Sequence, residues 1–152
     1  MSINKADVTI RRAGVEDMSG VLELVKELAL YENAPEQVTT TVEDYEKNFL
    51  SGVFDATVAE MNGEIVGMVL FYICWSTWKG RMLYLDDFVV KENLRQLGIG
   101  QMLFDQLFID AKKRGCKLVK WQVLDWNEPA LKFYEKNKSI IEKEWWNGKK
   151  FL

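Results

Sequence analysis

One stretch of the chain limits the fold more than any other. Met82 to Val90 (MLYLDDFVV) reads as a strand, and Arg95-Gln96-Leu97-Gly98-Ile99-Gly100 follows it within a few residues. Gly98 to Arg114 then has the spacing of a long helix with a broad apolar face, ended by Gly115. Leu118 to Leu124 is expected to be a buried strand beyond that helix. Strand, glycine loop, helix and strand in that order form a crossover unit, which lays a helix across one face of a sheet.

The segments before and after this unit extend the pattern. Val8 to Arg12 is expected to be a first strand. Met18, Val21, Leu22, Val25, Leu28 and Ala29 fall at helical spacing, and the stripe fades near Tyr31, before Ala34-Pro35. A shorter helix is expected over Val42 to Leu50. Phe54 to Glu60 and Glu64 to Trp75 read as strands joined at Asn62-Gly63, a two-residue hairpin signal, and Lys79-Gly80 marks the next turn. Asn127 suits a helix N-cap, with Pro129 tolerated in the first turn of a helix reaching about Asn137. From Ser139 the tail is expected to supply one or two closing strands. The order is therefore β-α-α-β-β-β-α-β-α-β: an α/β chain with a mixed sheet covered by helices. With no linker, repeat or low-complexity tract, residues 1–152 read as one domain.

Composition excludes several kinds of chemistry. The chain has no histidine, so it cannot build a Ser-His or Cys-His nucleophile pair, and it lacks the commonest zinc ligand. Cys74 and Cys116 form neither a disulfide framework nor metal-ligand spacing, which fits a reduced, cytoplasmic setting and no metal. A net charge of −3 argues against a nucleic-acid partner, which needs a basic face. The start, MSINKADVTIRR, has no signal-peptide core, and no stretch reaches the roughly 18 apolar residues that would span a membrane.

The glycine loop is where chemistry concentrates. Glycines at the head of a helix let a ligand approach the backbone, and the outward amides and helix dipole favour an anion such as a diphosphate. Arg95 adds a charge-assisted donor. No Gly-Lys-Ser/Thr follows, so this is not a Walker loop, and the third glycine of a dinucleotide fingerprint is missing. Asp86 and Asp87 are strand neighbours, so strict alternation sends them to opposite faces.

The motif R-x-x-G-x-G after YLDDFVV, followed by WNEPALKFYEK, resembles the GNAT N-acetyltransferase superfamily. KELALYE, YLDDFVV, RQLGIG and WNEPALKFY are similar, in the same order, to blocks of the diamine (spermidine/spermine) acetyltransferases, and STWKGR with VLDWN to the branch that acetylates thialysine. The resemblance implies the acyl-CoA N-acyltransferase fold and direct acetyl transfer from acetyl-CoA to a small amine. By it, Phe88, Val89 and Val90 lie along pantetheine, and Arg95, Gln96, Leu97, Gly98, Ile99, Gly100 and Gln101 hold the diphosphate. Asn127, Glu128, Pro129 and Ala130 make a second coenzyme contact. Tyr134 protonates the departing thiolate. Tyr31, Glu32, Asp86, Lys120, Trp121 and Gln122 line the amine site, with Asp86 the candidate base. A homodimer is implied in the same way.

Three departures from the family pattern stand out. Lys138 replaces a glycine usual four residues after the tyrosine, Ser76 stands where polyamine-specific members carry an acid, and the tail stops early at Leu152. The missing acid predicts weak activity on spermidine and better activity on thialysine or another lysine-like amine. A transferase acting on protein N-termini or ribosomal proteins, and a non-catalytic acyl-CoA-binding module, are the competing readings.

Overall fold

The computed structural model describes residue 4 and residues 7–152. Five strands form one mixed sheet in the order β1-β2-β3-β4-β5: β1 (Val8–Arg12), β2 (Asp55–Met61), β3 (Glu64–Ser76), β4 (Gly80–Val90) and β5 (Leu118–Lys120). Neighbours run antiparallel except β4 and β5, which are parallel because a helix connects them. The helices are α1 (Met18–Tyr31), α2 (Val42–Leu50), α3 (Ile99–Lys113) and α4 (Glu128–Lys136). By contact the chain separates into two compact units, Met1–Gln122 and Val123–Leu152.

In the first unit each face of the sheet has its own helical cover. The apolar stripe of α1 buries Met18, Val21 and Leu24 against Ala56, Val58, Met68, Leu70 and Val89, and Tyr45 and Phe49 of α2 pack onto the same cluster. On the other face, Phe88 stacks on Phe104 of α3 at 5.7 Å, and the Arg114 guanidinium lies 5.1 Å over the Phe71 ring. Gly67 belongs to this face as well, since a Cβ there would stand 3.2 Å from Leu103 of α3.

All four helices close in one way. At each end two main-chain amides reach back in the paired pattern of a left-handed cap, as with Gly115 N–H to Lys112 O and Cys116 N–H to Ala111 O after α3. The residue in the left-handed conformation is Asn33, Gly52, Gly115 or Lys138. In the second unit, Lys138 N–H donates to Glu135 O and Ser139 N–H to Tyr134 O. The backbone at Lys138 (φ 59°) thus keeps the geometry a glycine adopts freely, at the cost of a lysine side chain held there.

Two expectations are corrected. β5 ends at Lys120 rather than Leu124, and it is an edge strand with Leu118 38% exposed, not a buried one. The cause lies in β4, which bulges at Asp86 and stops pairing with β5 at Tyr84. The closing strands expected after Ser139 are absent among the described residues. That tail places its apolar residues in adjacent pairs, Ile140-Ile141 and Trp145-Trp146, so no single strand face could bury them.

Candidate active site

The register of β4 against β3 slips between Leu70 and Phe71: Asp87 stands opposite Leu70, and Leu85 opposite Phe71. Asp86 is the extra residue of a β-bulge. Leu85 shares a face with Phe71, toward α3, so Asp86 turns to the α1 face. Asp87 is opposite Leu70, a member of the α1-side core, and takes the same face. The expectation of opposite faces is therefore corrected: one inserted residue cancels the alternation and brings both carboxylates together.

What surrounds them is acidic and aromatic. Tyr72 and Tyr84, cross-strand partners, stack on this face with centroids 5.4 Å apart. Glu32 arrives from the C-terminal cap of α1, and Tyr45 from α2, braced edge-on against Phe54 at 5.6 Å. Burial pushes the Asp87 carboxyl up to about 7, helped by the charges of Asp86 and Glu32. Burial also raises Asp86 and Glu32; Asp86 is open to solvent at its rim yet closely walled by protein. Tyr72 is pushed up to about 12 by burial and by Asp86, and Tyr45 and Tyr84 move the same way. No hydrogen bond or ion pair among the described residues joins Asp86, Asp87 or Glu32 to a basic side chain.

At the other end of β4, Lys91 N–H donates to Val66 O, which fixes the hydrogen-bond phase of the ladder. In that phase the Val90 main chain faces away from β3, and its carbonyl accepts from Arg95 Nε at 3.2 Å. The loop that follows puts Gln96 (φ 69°) and Gly98 (φ 85°) in the left-handed region, and Gly98 caps α3 without any side-chain acceptor. The first-turn amides of Ile99 and Gly100 are thus beyond the reach of the helix's own carbonyls and uncapped. This donor set suits a diphosphate, which needs N–H groups, a positive helix end and a cation. A side chain at Gly100 would meet Phe88 at 3.6 Å, an ordinary contact, so internal packing alone does not demand glycine there.

The expected site residues divide accordingly. Glu32, Asp86 and Lys120 share the α1 face, Lys120 by pairing beside Tyr84 at the sheet edge. Trp121 packs against Phe104 at 5.7 Å, on the α3 side. Gln122 is exposed beyond the end of β5. Tyr31, at the end of α1, lies under the Arg95 guanidinium, 5.0 Å from its ring centre. Val89 is 4% exposed, with its side chain in the core, and in the same phase its main chain faces β3, opposite Met68, so the expected coenzyme contact at Val89 is corrected and falls to the main chain of Phe88 and Val90. In the second unit Asn127 caps α4 by accepting from Ala130 N–H at 3.3 Å, Glu128 and Pro129 form its first turn, and Tyr134 is 7% exposed beside Phe133.

Asp87, Tyr72, Tyr84 and Tyr45 were missing from the sequence-based site. The tyrosine pair could have been found by counting outward from the Ser76–Gly80 closing pair, whereas the bulge that aligns Asp87 has no signature in a single sequence.

A mixed sheet whose bulged β4 runs into a glycine-headed helix, with carboxylates gathered on one face, fits the acetyltransferase class. The chain belongs to the Acetyltransferase (GNAT) family, whose model matches residues 21–138. Among curated relatives, a thialysine N-epsilon-acetyltransferase of Bos taurus is 34% identical, over 96% of this chain and 93% of its own length. The enzyme of the same name from Caenorhabditis elegans is 30% identical, over 76% and 72%. Among solved structures, an aminoglycoside acetyltransferase from an uncultured soil metagenomic sample superposes with a TM-score of 0.82 at 21% identity, covering 97% and 98% of the two chains. The chain is thus an N-acetyltransferase, of a family that uses acetyl-CoA as its cosubstrate.

Proposed function

We propose that this chain acetylates the side-chain amine of thialysine, or of another lysine-like or diamine acceptor, by direct transfer from acetyl-CoA. The observation that carries the reading is the alignment of Asp86, Asp87 and Glu32 on one tyrosine-lined face. An alkyl ammonium with a pKa of about 10.4 must lose a proton before it can attack. Asp86 and Asp87, close enough to titrate as a pair, attract the cation and take that proton. Coenzyme binding falls to Arg95 through Gln101, to Asn127 through Ala130, and to the main chain of Phe88 and Val90, which faces away from β3. A backbone N–H of β4 offsets the charge that develops on the acyl oxygen, a contribution of about 3–4 kcal/mol for a well-placed donor. Tyr134 supplies the proton to the departing sulfur as the N–C bond forms and the C–S bond breaks. No enzyme nucleophile is required, in keeping with a chain without histidine. Ser76 Oγ accepts from Lys79 N–H at 3.1 Å in the β3–β4 turn and, unlike a carboxylate, carries no charge for a second ammonium, so spermidine should be a poor acceptor. On the family resemblance we also read residues 1–152 as one domain, acting as a homodimer in the cytoplasm.

A thiol-release assay with acetyl-CoA across thialysine, lysine, diamines, spermidine and short peptides tests this. Thialysine should give the highest kcat/KM. A peptide N-terminus preferred over every small amine would overturn the acceptor assignment. In the same assay Tyr134→Phe should lower kcat far more than it raises KM for acetyl-CoA.

A further inference from the structure

Tyr31, which the resemblance assigned to the amine site, makes a contact with the glycine loop. It is the last residue of α1, and its ring lies 5.0 Å below Cζ of Arg95. Arg95 is exposed and would move freely on its long side chain without anchors. Two contacts hold it: Nε donates to Val90 O at 3.2 Å, and the Tyr31 ring supports the guanidinium plane. With Nε committed to the end of β4, Arg95 can offer an anion only its terminal nitrogens, and it sits three residues before Gly98 in the same loop.

We infer that Tyr31 is a positioning residue on the coenzyme side, which pre-orients the Arg95 guanidinium for the diphosphate and does not line the amine. This rests on the reading of Arg95 through Gln101 as the diphosphate cradle. The next residue, Glu32, belongs to the carboxylate cluster. The end of α1 therefore serves two neighbouring sites with two consecutive side chains.

Calorimetric titration with CoA alone, without acetyl group or amine, tests the assignment. Tyr31→Leu, which removes the ring face, should weaken CoA binding by about fivefold, and Tyr31→Phe, which keeps it, by less than about twofold. Tyr31→Leu should add nothing further in an Arg95→Ala background, because the ring acts through the guanidinium. Should Tyr31→Leu fold poorly, Tyr31→Met removes the ring face with a flexible side chain and should weaken CoA binding by the same factor. The KM for the acceptor amine, measured at saturating acetyl-CoA, should stay constant in Tyr31→Leu. A rise in acceptor KM with CoA affinity unchanged would return Tyr31 to the amine site and overturn the inference. Wild-type protein that binds no CoA would instead bring down the coenzyme reading itself, and this assignment with it.

Discussion

Asp55 and Asp17 at the β1–β2 end of the sheet are buried, Asp87 on β4 is half-buried beside the more open Asp86, and the two pairs are handled in opposite ways. Asp55, 6% exposed, is pushed upward by burial, but Arg114 at 2.6 Å, Arg12 at 3.1 Å and the Ala56 amide more than offset this and leave its carboxyl below the usual range. Asp17 is held down in the same manner by two hydrogen bonds from Arg11 and one from Gly14 N–H. Asp86 and Asp87 receive no such partners; their neighbours are tyrosines, Glu32 and each other. A protein that supplies arginines in one place and withholds them in another has left the second charge to be balanced from outside. Paired carboxylates support the fold, while unpaired ones fit the cationic acceptor proposed above.

The comparison breaks or holds first on Asp87→Asn. Because the variant loses the stronger partner of the base pair, kcat/KM for the amine should fall by about 100- to 1000-fold, with acetyl-CoA binding unchanged. Thermal stability should hold or rise, since an unfavourably placed charge is gone. A variant with normal turnover and a lowered melting temperature would make Asp87 a structural group like Asp55.

Asp55→Ala is the mirror experiment. It strips Arg12 and Arg114 of their shared acceptor and should cost about 2–3 kcal/mol, read as a drop of several degrees in Tm. Steady-state constants for the remaining folded enzyme should stay within about twofold of wild type. A large loss of kcat without loss of stability would erase the distinction between the two regions.

A smaller effect, but one opposite in sign at the two sites, appears with pH. Asp55 and Asp17 have lowered carboxyls, so the stability they contribute is present above the ordinary carboxylate range and is lost as pH falls through their folded values. Asp87 is raised to about 7, so its contribution is fully present below the ordinary value of 3.8 and is lost as pH rises toward and through 7. Denaturation curves should therefore show stability falling between about pH 4 and 7 in wild type relative to Asp87→Asn. The inflection in kcat/KM near pH 7 should vanish in the same variant. Identical slopes would mean that Asp87 ionises as freely in the folded chain as in the unfolded one.

Most of the scaffold beneath these sites was legible, and for identifiable reasons. β1 and α2 have the expected boundaries because period-two and period-3.6 patterns there end at sharp caps, such as the box formed by Thr41 and Asp44. The glycine loop was legible because Gly98 and Gly100 sit between two strongly periodic elements. The acidic face was only half legible: Asp86 and Glu32 were named, whereas Asp87 was discounted by an alternation that the bulge overrides. β5 was overextended because its apolar run continues past the point where β4 bends away. Tertiary geometry decided both, and neither leaves a local trace in one sequence.

Lys138 supplies the control for the whole contrast, since it too breaks a local rule, but in the backbone and with no charge left unbalanced. Its left-handed φ of 59° closes α4 with the same paired hydrogen bonds that Gly115 makes for α3. A β-carbon in that region costs about 1 kcal/mol, which a glycine avoids, less the extra freedom a glycine gives the unfolded chain. Lys138→Gly should therefore stabilise the protein by somewhat under about 1 kcal/mol, a rise in Tm of a few degrees at most, with kcat and both KM values unchanged. If the variant instead loses activity, the strained end of α4 is tied to the chemistry, and unpaired charge ceases to be the feature that separates the working face from the rest of the molecule.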